Sequence, residues 1–222
     1  MINYEHAAKG IKKVFVAEIL ELVSSILPVL ATIGALSTVV FAEEGLATAG
    51  VVTVLGTMVC VIAALVLAVL AFVLEIIGLK QTSAENDSFR VAFCLVIIQL
   101  FTAVFVGVIS IISLNSSTTT VWYNFLSTFA DILNIIVTIY VINGCSELVV
   151  AKGREDLAIE GANLLSAIVI LYAFGCFLGI MPIFTPNTLD MIVYGIYIVV
   201  QAIAFVLFLS FLARTKRVLL TK

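Results

Sequence analysis

Charge is scarce in this sequence. Only 11% of its 222 residues are Asp, Glu, Lys or Arg, where a soluble domain carries about a quarter. A conventional water-soluble fold is therefore excluded. Net charge is −3 and no long basic cluster occurs, so nucleic acid is not an expected partner. Histidine is nearly missing. His6 is the only one and precedes the first apolar run, which excludes imidazole chemistry within the runs. No HExxH, no GxSxG and no nucleotide-binding loop is present. These absences argue against a zinc peptidase, a serine nucleophile elbow and an ATPase. Cys60, Cys94, Cys145 and Cys176 form no CxxC, and none sits in a polar loop. A disulfide framework or a zinc site is not expected; the cysteines read as small packing residues. Neither a metal, a cofactor nor an enzymatic activity is expected.

What is present is apolar length. Hydrophobic residues make up 63% of the chain, and mean hydropathy is +1.28. A membrane-spanning helix needs about 20 apolar residues. Six such spans are predicted, at about 14–41, 48–79, 90–114, 121–143, 158–181 and 188–213. The fold class expected is an all-α integral membrane protein, one polytopic domain over 1–222, with six transmembrane helices in three helical hairpins and no soluble domain. Membrane strands are excluded, because the runs lack alternation and are about twice the length of such a strand. The first run has a basic start like a secretory leader, but its apolar stretch exceeds the usual 7–15 residues or so, and it is read as a span. "GIKKVFVAEILEL" and "SFRVAFCLVIIQL" echo one another at the openings of two hairpins, as repeats in transporters do.

Orientation follows from the basic residues. Lys9, Lys12, Lys13, Lys80, Arg90, Lys152, Arg154, Arg214, Lys216, Arg217 and Lys222 all fall in the N-terminal segment, the second loop, the fourth loop or the C-terminal segment. With six spans, those four places share one side. The positive-inside rule then predicts a multi-pass protein of the cell membrane with both termini cytoplasmic. Trp122 and Tyr123 mark the outer edge of span four.

Span four carries the strongest polar signal. At about 100° per residue, Asn124, Ser127, Thr128, Asp131, Asn134, Thr138 and Cys145 occupy one side, on which Ile135 and Ile142 intrude. Such a face avoids lipid, since an unpaired polar group in hydrocarbon costs several kcal/mol. Ser and Thr alone read as helix-to-helix hydrogen bonding. Asp131 is different. Near the bilayer midplane an aspartate costs about 2.5–3.5 kcal/mol, and no span core offers Lys, Arg or His to pair with it. It must be protonated, be solvated by a cavity, or meet a cation. Gln99 and Thr102 in span three, and Asp190, Tyr194, Tyr197 and Gln201 in span six, form partial polar faces that would complete a chamber. The expected substrate or ion-binding set is Asp131, Asn134, Thr128, Asn124, Gln99, Tyr197 and Gln201.

Three further features have two readings each. Glu18 and Glu21 in span one, with Glu75 in span two, would bind a cation or make interfacial ion pairs with Lys12, Lys13 and Lys80. Pro28 is expected to kink span one. Gly175 and Gly179, in "GCFLG", are expected to permit close helix packing, within the chain or between two copies. In the fourth loop, Gly153 is expected to interrupt the chain before "REDLAIE", the acidic first turn of the fifth helix.

The expected function is a small transporter, or the solute-binding membrane subunit of one. In architecture alone the chain resembles the vitamin-capturing subunits of energy-coupling transporters, with none of their motifs. Expected partners are the lipid bilayer, a small-molecule or ion substrate, and a second copy or energising subunits. The competing class is a non-transporting membrane scaffold, assembly factor or sensor. An intramembrane enzyme is the third reading, and Asp131 lacks the second aspartate that an aspartyl protease needs.

Overall fold

The computed structural model describes residues 2–43, 47–112, 117–180 and 187–221. Within the helices, the side chains at 30, 32–43, 47–50, 52, 107, 109–112, 117–125, 127, 128, 131, 175–180, 187–195, 197, 198 and 201 lie outside the description. Among the described residues the protein is all helix, without strands. Six helices follow one another: α1 (Tyr4–Glu43), α2 (Ala47–Thr82), α3 (Asp87–Ile112), α4 (Ser117–Ala151), α5 (Glu155–Ile180) and α6 (Asn187–Leu220). Among the described residues four of them are long and apolar enough to cross a membrane, over Thr53–Thr82, Asp87–Val106, Ile132–Ala151 and Glu155–Phe174.

Several helices outrun the predicted spans, for local reasons. α1 begins well before its apolar run, because Asn3 supplies a cap: its Oδ1 accepts the His6 N–H at 3.1 Å. Asn86 caps α3 in the same way, accepting the Ser88 N–H at 2.8 Å. An N-cap side chain satisfies a peptide N–H that has no partner within the helix. α1 continues through Pro28. α4 runs on to Ala151 and ends at Gly153, whose φ of +80° is left-handed. There the Arg154 N–H bonds the Val149 carbonyl at 2.9 Å and the Gly153 N–H bonds the Val150 carbonyl at 2.8 Å. This is the paired closure that a glycine permits at a helix C-terminus. The expected break at Gly153 is thus present, and "REDLAIE" opens α5.

The chain divides into two compact units. One comprises residues 13–78, most of α1 and α2. In it Thr57 Oγ1 reaches both its own helix, at the Thr53 carbonyl (2.8 Å), and the Ala31 carbonyl on α1 (3.5 Å). The other comprises residues 1–12 and 79–222. Here α4 packs on α3, α5 and α6, and α5 packs on α6. Its core takes Phe89, Ala92 and Val96 from α3, Val141, Cys145, Leu148 and Val149 from α4, Ile168 from α5, and Phe208, Phe211 and Leu212 from α6. These recur at three- and four-residue intervals, the spacing of one helix face.

Two glycines set how closely the helices approach. A Cβ at Gly144 of α4 would lie 2.6 Å from the ring of the fully buried Phe89. A Cβ at Gly161 of α5 would lie 2.8 Å from the Phe211 ring of α6. Only hydrogen at these positions lets aromatic rings seat against the backbone.

Candidate functional site

α4 is continuous through position 131. The side chains of Asp131, Thr128, Asn124, Tyr197 and Gln201, and those of Gly175 and Gly179, lie outside the described residues. Of the expected set, Asn134 and Gln99 are described, and both are half-buried. They are not hydrogen-bonded to each other among the described residues. Thr138, on the same stripe, is buried, and its hydroxyl donates to the Asn134 carbonyl at 3.0 Å. Thr102 likewise donates to the Ile98 carbonyl at 3.1 Å, and Ser146 to the Ile142 carbonyl at 2.9 Å. Each hydroxyl is satisfied one turn back on its own helix.

The described part of α4 has a clear sidedness. Leu133, Val137, Thr138, Val141, Ile142, Cys145, Leu148 and Val149 are buried, while Phe129, Ile132 and Val150 are exposed. The lower stretch of the predicted polar stripe, Thr138 and Cys145, therefore faces protein. Cys60, Cys94 and Cys145 are free thiols. In the first unit, Glu18 has the carboxylates of Glu21 and Glu75 as electrostatic neighbours. The three share one neighbourhood, yet among the described residues no group of three His, Cys, Asp or Glu side chains is placed to hold a metal.

The densest polar structure lies where α1 begins, α2 turns into α3, α4 turns into α5, and α6 ends. The Asn3 N–H donates to Glu85 Oε2 at 2.8 Å, and His6 Nδ1 lies 3.6 Å from Glu85 Oε1. Gln81 Nε2 donates to the His6 carbonyl at 3.2 Å, and the Tyr4 hydroxyl to the Ala151 carbonyl at 2.8 Å. Glu147 accepts from Asn86 Nδ2 at 2.6 Å and from the Ser88 hydroxyl at 3.1 Å. Lys152 Nζ donates to the carbonyls of Val218 (2.7 Å), Leu219 (2.8 Å) and Thr221 at the end of α6. Its ammonium also lies 5.6 Å from the centre of the Tyr4 ring. A cation on the last carbonyls of a helix satisfies groups that have no partner within it and meets the negative end of its dipole.

Beside this cluster is a pocket of about 330 Å³. Arg154, Asp156, Leu157 and Glu160 line it from the start of α5, and Arg214, Arg217, Val218 and Thr221 from the end of α6. Arg154 holds Asp156 through two bonds, Nε–Oδ1 at 3.0 Å and Nη2–Oδ2 at 2.8 Å. The Asp156 carboxylate pushes the Arg154 guanidinium further up from its ordinary value. Arg214 pairs with Glu160. Arg217 has no acidic partner among the described residues.

Sequence reasoning used these arginines only to assign a side. Their convergence needed the pairing of α5 with α6. Gly144 was missed as well, since no GxxxG marks it and its partner Phe89 belongs to another helix. No protein-family model, no curated protein and no solved structure matches this chain.

Proposed function

We propose that this chain is a multi-pass membrane protein with six spans and both termini cytoplasmic. We further propose that it works as a small transporter, or as the solute-binding membrane subunit of one, with a polar midplane site around Asp131. The observation that carries the site is the sidedness of α4. At about 100° per residue, position 131 belongs to the register of Thr138, Ile142 and Val149, all three of them buried. A carboxylate in that register has no lysine, arginine or histidine at its depth in the sequence, and such a group is a functional candidate by default.

The topology draws support from the polar cluster. The N-terminal segment, the second loop, the fourth loop and the C-terminal segment hold every Lys and Arg, and the same four segments bond to one another. An even number of crossings brings such segments to one side. Single cysteines at Glu43, Ser117 and Pro186, in a variant otherwise free of cysteine, should react with an impermeant thiol reagent added outside intact cells. Reaction only after permeabilisation would reverse the orientation.

The second reading, a non-transporting scaffold, is favoured by the hydroxyls of Thr102, Thr138 and Ser146, which are satisfied within their own helices and need no water. One experiment separates the two. A thermal-shift screen of small solutes on purified protein should find a ligand that raises the midpoint of the wild type. Asp131→Asn preserves shape and removes titration. It should keep the fold and abolish that ligand response across a series of about pH 5 to 8. An unchanged response in the Asn variant would take Asp131 out of the mechanism.

A further inference from the structure

The pocket between the start of α5 and the end of α6 is built from charge that the transport reading does not use. Three guanidiniums converge on about 330 Å³. Two are oriented by carboxylates, Arg154 by Asp156 and Arg214 by Glu160. The third, Arg217, is exposed and without an acidic partner among the described residues. The charged lining therefore carries three cations against two anions. Planar guanidiniums match phosphate oxygens through paired hydrogen bonds.

The surfaces leading away from the pocket identify the source of the phosphate. On α6, Arg217 and Arg214 continue at helical spacing into exposed Leu207 and Ile203. On α5, Glu160 continues at the same spacing into Ile170, 67% exposed, and Phe174, 47% exposed. Two packed helices thus present apolar faces that run on from a basic pocket. A free phosphate has no use for those faces, whereas acyl chains do. Basic pockets between helices at a membrane's cytoplasmic surface are suited to anionic headgroups.

We infer that the Arg154–Arg214–Arg217 pocket binds the phosphate of an anionic phospholipid, whose acyl chains lie along the exposed faces of α5 and α6. This rests on the membrane reading but not on transport. Both arms of the test use the full chain. In the first, carbonate extraction of cell membranes checks membrane integration. In the second, the purified protein in nanodiscs of mixed phosphatidylglycerol and phosphatidylcholine is released into the gas phase, and retained lipid is weighed by native mass spectrometry. The wild type should stay in the carbonate pellet and retain phosphatidylglycerol over phosphatidylcholine. Arg217→Gln removes an exposed, unpaired side chain, so it should leave the fold intact and lower that preference about fivefold, as expected for one basic residue near an anionic surface.

Equal retention of the two lipids by a pelleted protein would overturn the site and leave the membrane reading standing. Extraction by carbonate would overturn the membrane reading itself. Competition by inorganic phosphate at millimolar concentration that strips the bound phosphatidylglycerol completely would overturn the lipid as source. An unchanged preference in Arg217→Gln would overturn the assignment to this pocket.

Discussion

Helix α2 is the more apolar of two long helices and the less buried. Its apolar window has a mean hydropathy of 3.0 with 11% of it buried, whereas that of α4 has 1.8 with 50% buried. In a water-soluble fold the ranking would be reversed, because apolar area is what burial removes from water. On the proposed membrane reading that drive is missing between helices, since the surrounding lipid chains are as apolar as leucine. Close fit and small or polar residues decide which helices pack. α4 has them: Gly144 under Phe89, Cys145, Thr138 and a glutamate held by Asn86 and Ser88. α2 shows lipid-like residues along one broad face, with Leu55, Met58, Val59, Ile62, Leu65 and Val69 all exposed, while Ala64 and Ala71 on its other side are buried.

The contrast can be broken by like substitutions in the two helices. The largest effect is expected from truncating leucine. Leu148→Ala removes a fully buried side chain of α4 and should cost about 2–5 kcal/mol. Leu65→Ala in α2, where the side chain is 66% exposed, should stay within about 0.5 kcal/mol. Reversible unfolding in mixed micelles measures both, and equal losses would mean that α2 is packed in the assembled protein. Next comes adding a methyl group to glycine. Gly144→Ala drives Cβ into the Phe89 ring and should cost about 1–3 kcal/mol. At Gly56 of α2 nothing lies within 4 Å of the new Cβ, so Gly56→Ala should be neutral or gain up to about 1 kcal/mol from helix propensity. Replacing the ring by a smaller aliphatic side chain, Phe89→Leu, should recover part of the Gly144→Ala loss if the clash is its cause. The smallest effect is expected at the polar end. Lys152→Met keeps length but leaves three α6 carbonyls without their cation. About 1–2 kcal/mol should be lost, with earlier amide exchange in the last turn of α6.

Composition and period made the helices legible before any coordinates. An apolar run of about 20 residues has few alternatives, and the break at Gly153 followed from the need for a left-handed residue at a helix end. Helix starts were less legible. Asn3 and Asn86 act as caps outside the apolar runs, so a reading of hydropathy places the boundary too far inside. Burial within the stripe was half legible: period alone put Thr138 and Cys145 on one side, and the packing of α3, α5 and α6 made that side the inner one. Gly144 was illegible because its meaning lies in Phe89, which sequence order does not bring near. The basic pocket was illegible for the same reason, as charge counts carry no geometry. Asp131 was legible from the sequence as a carboxylate with no basic residue at its depth, in the register of Thr138, Ile142 and Val149.

Lys152 has a consequence for the order in which the protein is made. Its ammonium waits for carbonyls that lie 66 and more residues further along the chain. When α4 has left the ribosome, Tyr4 and the Ala151 carbonyl are already made, but the acceptors on Val218, Leu219 and Thr221 are not. Until translation passes residue 218, Lys152 has only solvent and the Tyr4 ring for company. The bonds among Asn3, Tyr4, Glu85, Asn86, Glu147 and Ala151 need no residue beyond these, so a ribosome stalled before residue 218 would hold a chain whose polar end is joined everywhere except to α6.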